Sequence, residues 1–344
     1  MKGRAFHSAV FNIADRVRAV GAGLDLVKYK AGIFLLTLLA PILLFAQVDQ
    51  EGAILRAYAL DEQGKMDGAI ALLRPLINSG AFHGAELGRA WIILGLAYAD
   101  QNEFHDARNA YEQAISILQP LPESIRDYAA VMDHFANLYQ AEGELQVATN
   151  LRSKTLRMYQ QMGDYSRIAR DSSVLAGLAL QQGHLKEGRR YLKQTAENLK
   201  MATGLNEDDL AVIFSTRAQF ARVEGNVSAE IAGHEHALQI LQRAHEATNP
   251  NIGWECMLLG VAYSHAGRAE DALREMRQGL SILASTWDHK SRRYLEAEIA
   301  YSQVLDQSGD HKNAALLRVS DEAKLKELQR IECPGCTISA YALR

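Results

Sequence analysis

A glycine returns along this chain at intervals that are almost constant. Gly64, Gly143, Gly183, Gly225, Gly267 and Gly309 each sit in a short polar segment, and Asn102 takes the same place in a seventh, at intervals of 38, 41, 40, 42, 42 and 42 residues. Short apolar patterns with helical spacing run on both sides of each. Seven positions before this point stand Ala57, Gly95, Ala136, Ala176, Ala218, Gly260 and Ser302; five positions after it stand Ala69, Ala107, Ala148, Gly188, Glu230, Ala272 and Ala314. A residue that reverses the chain between two helices favours a positive φ, which Gly adopts without cost and Asn tolerates. Small side chains on both sides allow the two helices to cross closely. One such hairpin cannot bury its apolar faces alone, so the hairpins must stack.

The second unit carries the fullest pattern. It reads Trp91-x-x-Leu94-Gly95-x-x-Tyr98, then Ala107-x-x-x-Tyr111, Ala114 and Pro120; Leu259-Gly260-x-x-Tyr263 with Ala272-x-x-x-Met276 repeats it. These residues resemble the tetratricopeptide repeat, and the long period resembles the arrays of kinesin light chains and of bacterial sensor and regulator proteins. The resemblance implies an all-α fold, a right-handed superhelix of about seven hairpins over residues 49–330. The fifth unit departs from the pattern, with Glu230 and His234 where small and aromatic residues are usual. A distorted second helix is expected there.

Residues 1–48 have a different character. Ala31 to Val48 contains no charge; Lys28 and Lys30 precede it, and Asp49 and Glu51 follow. Basic before apolar and acidic after is the arrangement of an export signal. Leu44-Phe45-Ala46 offers a cleavage site before Gln47. The stretch ahead of the apolar run is long for a secretory signal, so either the start lies downstream of Met1 or the segment is an uncleaved anchor. Both readings place the repeats outside the cytoplasmic membrane, periplasmic or secreted, with membrane contact only through residues 31–48. Without residues 1–46, which hold six basic and two acidic side chains, 31 basic and 39 acidic residues remain, a net of −8. That balance disfavours nucleic acid and anionic lipid.

The resemblance implies a groove lined by the first helix of each hairpin, taking a peptide or protein partner. Mapped onto this chain, the lining comprises Asp133, Asn137 and Gln140; Arg170, Ser173 and Gln181; Ser215, Gln219 and Arg222; and Trp254, Met257, Val261 and His265. Trp254 and Met257, one turn apart, are candidate anchors or fillers of the seam to the fifth unit. The carboxylate clamp of chaperone-binding repeats needs Lys beside Asn, and here Asp133 precedes Asn137.

No catalytic pattern is present: the chain lacks a HExxH helix, a phosphate-binding loop and a nucleophile elbow. On a helix His234 and His236 diverge, so Gly-His-Glu-His does not read as a metal site. The expected function is therefore a non-enzymatic interaction scaffold without cofactor, with a peptide-sensing regulatory domain as the alternative. The tail over 331–344 holds Cys333 and Cys336 around Pro334-Gly335, a candidate disulfide in an oxidising compartment; Cys256 lies within an apolar first helix.

Overall fold

The computed structural model describes residues 50–332, apart from 62, 102, 287, 288, 290 and 291. The segments over 1–48 and the pair Cys333 and Cys336 lie outside the described residues, as does Asn102. Residues 1–55 and 56–344 form separate compact units. Residues 50–55 of the first are helical, and the second opens with helical residues 56–61 (α1).

Thirteen further helices follow: α2 (Met66–Asn78), α3 (Gly84–Asp100), α4 (Phe104–Leu118), α5 (Ile125–Ala141), α6 (Leu145–Met162), α7 (Tyr165–Gln181), α8 (Leu185–Leu199), α9 (Glu207–Val223), α10 (Val227–Ala244), α11 (Pro250–His265), α12 (Ala269–Thr286), α13 (Arg292–Gln307) and α14 (His311–Glu332). Among the described residues there is no strand. α1 and α2 flank Gly64 and α2 packs on α3; from α3 onward each odd-numbered helix pairs with the next to make a hairpin, and each hairpin packs on the following one. The first helices also touch across hairpins, α3 with α5, α7 with α9 and α11 with α13. They therefore form the closely spaced inner row of an α-helical repeat superhelix.

The turns form where the glycine period places them. Gly64, Gly143, Gly183, Gly225, Gly267 and Gly309 all have φ between 70° and 93°, the left-handed region in which other residues are strained. Asp164, Asn206, Asn226 and Asn249 accept a backbone N–H at the starts of α7, α9, α10 and α11, satisfying donors that a helix start leaves open.

The small residues mark the crossings. A Cβ on Gly95 would lie 2.5 Å from the Tyr111 ring, and one on Gly260 would lie 2.7 Å from Met276 Cγ and 3.0 Å from the Ala272 carbonyl oxygen. Met257 is fully buried at a second approach in that hairpin, where a Cβ on Gly279 would meet Met257 Sδ at 2.9 Å and the Gly253 carbonyl oxygen at 2.7 Å.

The fifth unit corrects the expected distortion. Its second helix, α10, is continuous over 18 residues. The close approach is made instead by Gly233, whose Cβ would stand 2.8 Å from that of Ala218. Moving the small residue three positions along the helix frees Glu230 and His234 to be buried as partners of the next hairpin. His265 Nδ1 lies 3.0 Å from Glu230 Oε1, and His234 Nδ1 lies 2.7 Å from Glu255 Oε1. Packing retained the crossing while the residue type at the aligned position changed.

Candidate functional site

Two constellations occupy the inner row. The first is a buried charge network across the third to fifth hairpins. Arg152 on α6, 1% exposed, reaches beneath the first helices. Its Nη1 lies 2.8 Å from Asp133 Oδ1 and 2.9 Å from Asp171 Oδ1, and its Nη2 donates to Asn137. Thr155 donates to Asp171 at 2.8 Å and Tyr159 to Asp133 at 2.9 Å. Arg170 joins three first helices: Nη1 lies 3.4 Å from Asp133 and 3.2 Å from Asp171, and Nε lies 2.9 Å from Asp209.

The network sets its members' proton affinities in opposite directions. Burial works to raise the Asp133 pKa, but Arg152 and Arg170 outweigh it and hold that carboxyl below its usual range. Burial and the adjacent Asp133 charge lift Asp171 to about 6 despite the same two arginines. Desolvation and the nearby Arg170 charge depress His134 to about 4. Three carboxylates against two deeply placed guanidiniums leave an excess of negative charge, and Arg167 stands 3.6 Å from Asp209 at the edge of the cluster.

The second constellation is a pocket of about 230 Å³ between α9 and α11. Adjacent first helices present parallel stripes there. Asp208, Val212, Ser215 and Gln219 line it from α9, and Asn251, Trp254, Glu255 and Leu258 from α11; Ala211, Thr216 and Leu241 complete it. These are the i, i+3, i+4 and i+7 spacings of one helix face. Ser215 and Thr216 are 8% and 6% exposed. Neither hydroxyl has a hydrogen-bond partner among the described residues, and the Gln219 amide also has none. The carboxylates are engaged: Glu255 by His234, and Asp208 by His245 Nε2 at 2.8 Å.

The residues expected to line the groove therefore divide. Ser215, Gln219 and Trp254 come together in the pocket. Asp133, Ser173 and Met257 are buried, at 3%, 0% and 0% exposure, and do not open onto a groove surface. Met257 packs inside its own hairpin; Asp133 turns under α5 to meet Arg152; the Ser173 hydroxyl is enclosed without a hydrogen-bond partner. Asn137, Arg170 and Arg222 are half-buried, the first two held in the charge network. Asp208, Thr216 and Asn251 were not singled out in the sequence. The signal for the first was its place one turn before Val212 on the stripe that ends at Gln219.

Among the described residues no cluster of three or more His, Cys, Asp or Glu could hold a metal ion. Cys256 is a buried free thiol that burial pushes up to about 12, which keeps it protonated and unreactive. No helix of the described residues is long and apolar enough to cross a membrane.

A family model described as tetratricopeptide repeat matches residues 88–119, the second hairpin. No curated protein matches the sequence. Among solved structures, a Rap protein complexed with Competence and Sporulation Factor is similar at 15% identity, covering 81% of this chain and 99% of that one, with a TM-score of 0.56. The Rap conjugation gene regulator of the plasmid pLS20 in complex with the Phr* peptide is similar at 12% identity, covering 84% and 98%, with a TM-score of 0.55. Aspartyl phosphate phosphatase F from Bacillus subtilis is similar at 11% identity, covering 86% and 74%, with a TM-score of 0.57. At such identities the likeness is one of fold. The repeat model sits on the hairpin whose Gly95–Tyr111 crossing is built most fully from the motif, and the stacked hairpins around it keep the same turns: residues 88–119 match a tetratricopeptide repeat, and the array has the fold of a tetratricopeptide-like solenoid.

Proposed function

We propose that this chain is a non-enzymatic interaction scaffold that binds a short peptide or a peptide segment of a protein along the inner row, between α9 and α11. The observation that carries this reading is the pocket there, with Ser215 and Thr216 more than nine-tenths buried and their hydroxyls unpartnered. Neither hydroxyl is sealed from the pocket, so each can donate to and accept from a ligand that enters it. Its volume is below the roughly 300–1,000 Å³ of drug-sized sites, which suits one or two side chains of a longer ligand. Two of the structurally similar Rap proteins were solved in complex with a peptide or a named factor, in keeping with this use of the fold.

A peptide-sensing regulatory role is the second reading, and the charge network favours it. Arg170 ties α5, α7 and α9 together, so a ligand that shifts α9 against α11 would also act on the spacing of the third to fifth hairpins. Export of the repeats rests on the charge pattern around residues 31–48.

The test is a random peptide library presented to the full chain, with photo-crosslinkers placed at Val212 and Asn251. Crosslinking of selected peptides from both positions is expected. Selected peptides that crosslink only from the outer helices, such as α10 or α12, would reject the groove.

A further inference from the structure

We infer that the pocket between α9 and α11 is a subsite for an unphosphorylated tyrosine side chain of the bound peptide. The inference rests on the groove reading above and names the residue class that it selects.

The lining mixes two chemistries. Trp254, Val212 and Leu258 give aromatic and aliphatic surface, which rewards a flat apolar body. The hydroxyls of Ser215 and Thr216 and the Gln219 amide belong to the same lining. Each of these groups can both donate and accept. A phenylalanine ring would fill the space and leave them unpaired. A phenol fills it and supplies one O–H donor and an acceptor at its tip. A site built around polar groups discriminates against the analogue that lacks the polar atom.

Charge excludes the other candidates. The pocket lining contains two carboxylates, on Asp208 and Glu255, and no lysine or arginine. A phosphate or carboxylate entering it would lose water and find no lysine or arginine in the lining to pair with. A lysine ammonium would need a free carboxylate, but both are held by imidazoles, His245 on Asp208 and His234 on Glu255. A neutral side chain with a polar end is what remains, and the size of the pocket, about 230 Å³, accommodates one.

The experiment titrates the full chain with N-acetyl-tyrosinamide, N-acetyl-phenylalaninamide, N-acetyl-phosphotyrosinamide and N-acetyl-lysinamide, following the indole N–H signals of Trp91, Trp254 and Trp287. The tyrosine probe is expected to shift the Trp254 signal and to bind about fivefold tighter than the phenylalanine probe, the scale of one neutral hydrogen bond. The phosphotyrosine and lysine probes should leave that signal in place. Ser215→Ala with Thr216→Val should bring the tyrosine probe down to the phenylalanine level and leave the phenylalanine probe unchanged; Gln219→Leu serves if that pair does not fold. Equal binding of both aromatic probes, or tight binding of the phosphorylated or lysine probe, overturns the tyrosine assignment while the groove stands. No shift from any probe, with library peptides still crosslinking at Val212 and Asn251, also overturns only the assignment. Loss of both signals rejects the groove reading itself.

Discussion

Arg152 Nη1 lies 2.9 Å from Asp171 Oδ1, and both side chains are almost fully withdrawn from water, at 1% and 0% exposure. The pair joins the second helix of the third hairpin to the first helix of the fourth, so it spans a repeat boundary. Its energetic role follows from what each substitution leaves behind. Arg152→Ala takes one of two guanidiniums from the buried carboxylates of Asp133 and Asp171, stranding charge that Arg170 alone does not balance, and is expected to destabilise by about 3–5 kcal/mol. Adding Asp133→Asn and Asp171→Asn removes the stranded charges and should recover much of that loss. Chemical denaturation of the three variants checks this; a triple variant no more stable than Arg152→Ala would show that the charges were not the cause.

The crossings give a second expectation. Gly95→Leu would drive its side chain into the Tyr111 ring, and Gly260→Leu into Met276 and the Ala272 backbone. Overpacking of this kind costs about 1–3 kcal/mol, and more where the obstruction is backbone. Gly260→Leu should therefore be the more damaging of the two. Coupling in a solenoid is between nearest neighbours, so amide exchange should quicken first in the altered hairpin and those flanking it. Uniform loss along the array would contradict the stacking of separate hairpins.

These two sites differ in how far the sequence revealed them. The glycine period exposed the turns because φ near +70° excludes most other residues, and the small residues at crossings follow from sterics that any sequence must obey. Gly95 and Gly260 were therefore legible. The charge network was not. Assigning groove residues by first-helix position placed Asp133 and Ser173 on an open surface, but Arg152 comes from a second helix in a stretch, LQVATNLRSKTL, whose charges read as solvated. Only the three-dimensional stacking brings it under α5 and α7. The pocket was half legible: Ser215, Gln219 and Trp254 lie on the expected face, while Thr216, next to Ser215 in the chain, joins the lining with Leu241 of α10.

Acid should act on the third to fifth hairpins through two groups with opposite signs. Asp171, raised to about 6 when folded from an ordinary value near 3.8, binds its proton more tightly in the folded chain. Its contribution is present below the unfolded value and is lost as pH rises from about 4 through 6. His134, depressed to about 4 from 6.5, binds its proton more tightly when unfolded. Its contribution is present above about 6.5 and is lost as pH falls towards 4. Stability measured between pH 4 and 6.5 should thus rise more steeply with pH in Asp171→Asn than in the parent, and less steeply in His134→Gln. The slopes, not the absolute stabilities, are the readout. Parallel profiles in all three proteins would mean that neither group titrates in this window.

Export is the remaining expectation, and it is carried by residues outside the described structure. We propose that residues 1–48 direct the repeats across the cytoplasmic membrane, because Lys28 and Lys30 precede an uncharged run of eighteen residues and acidic residues follow it. The retained basic flank sets the orientation, and the acidic side crosses. Eighteen residues at about 1.5 Å each span roughly 27 Å as a helix, just short of a hydrocarbon core, so the length fits either a cleaved signal or a tight anchor. A reporter fused after Val48 that is active only outside the cytoplasm should therefore gain activity. Replacing Leu36 and Leu39 with Arg should abolish it, since a charge near the centre of the run costs about 2.5–3.5 kcal/mol for each substitution. The mature N-terminus, read by mass spectrometry, then separates the two forms: a chain beginning at Gln47 was cleaved, and one that retains residues 31–48 is anchored. A reporter that stays inactive with the native segment would leave the repeats in the cytoplasm and remove the basis for an extracytoplasmic partner.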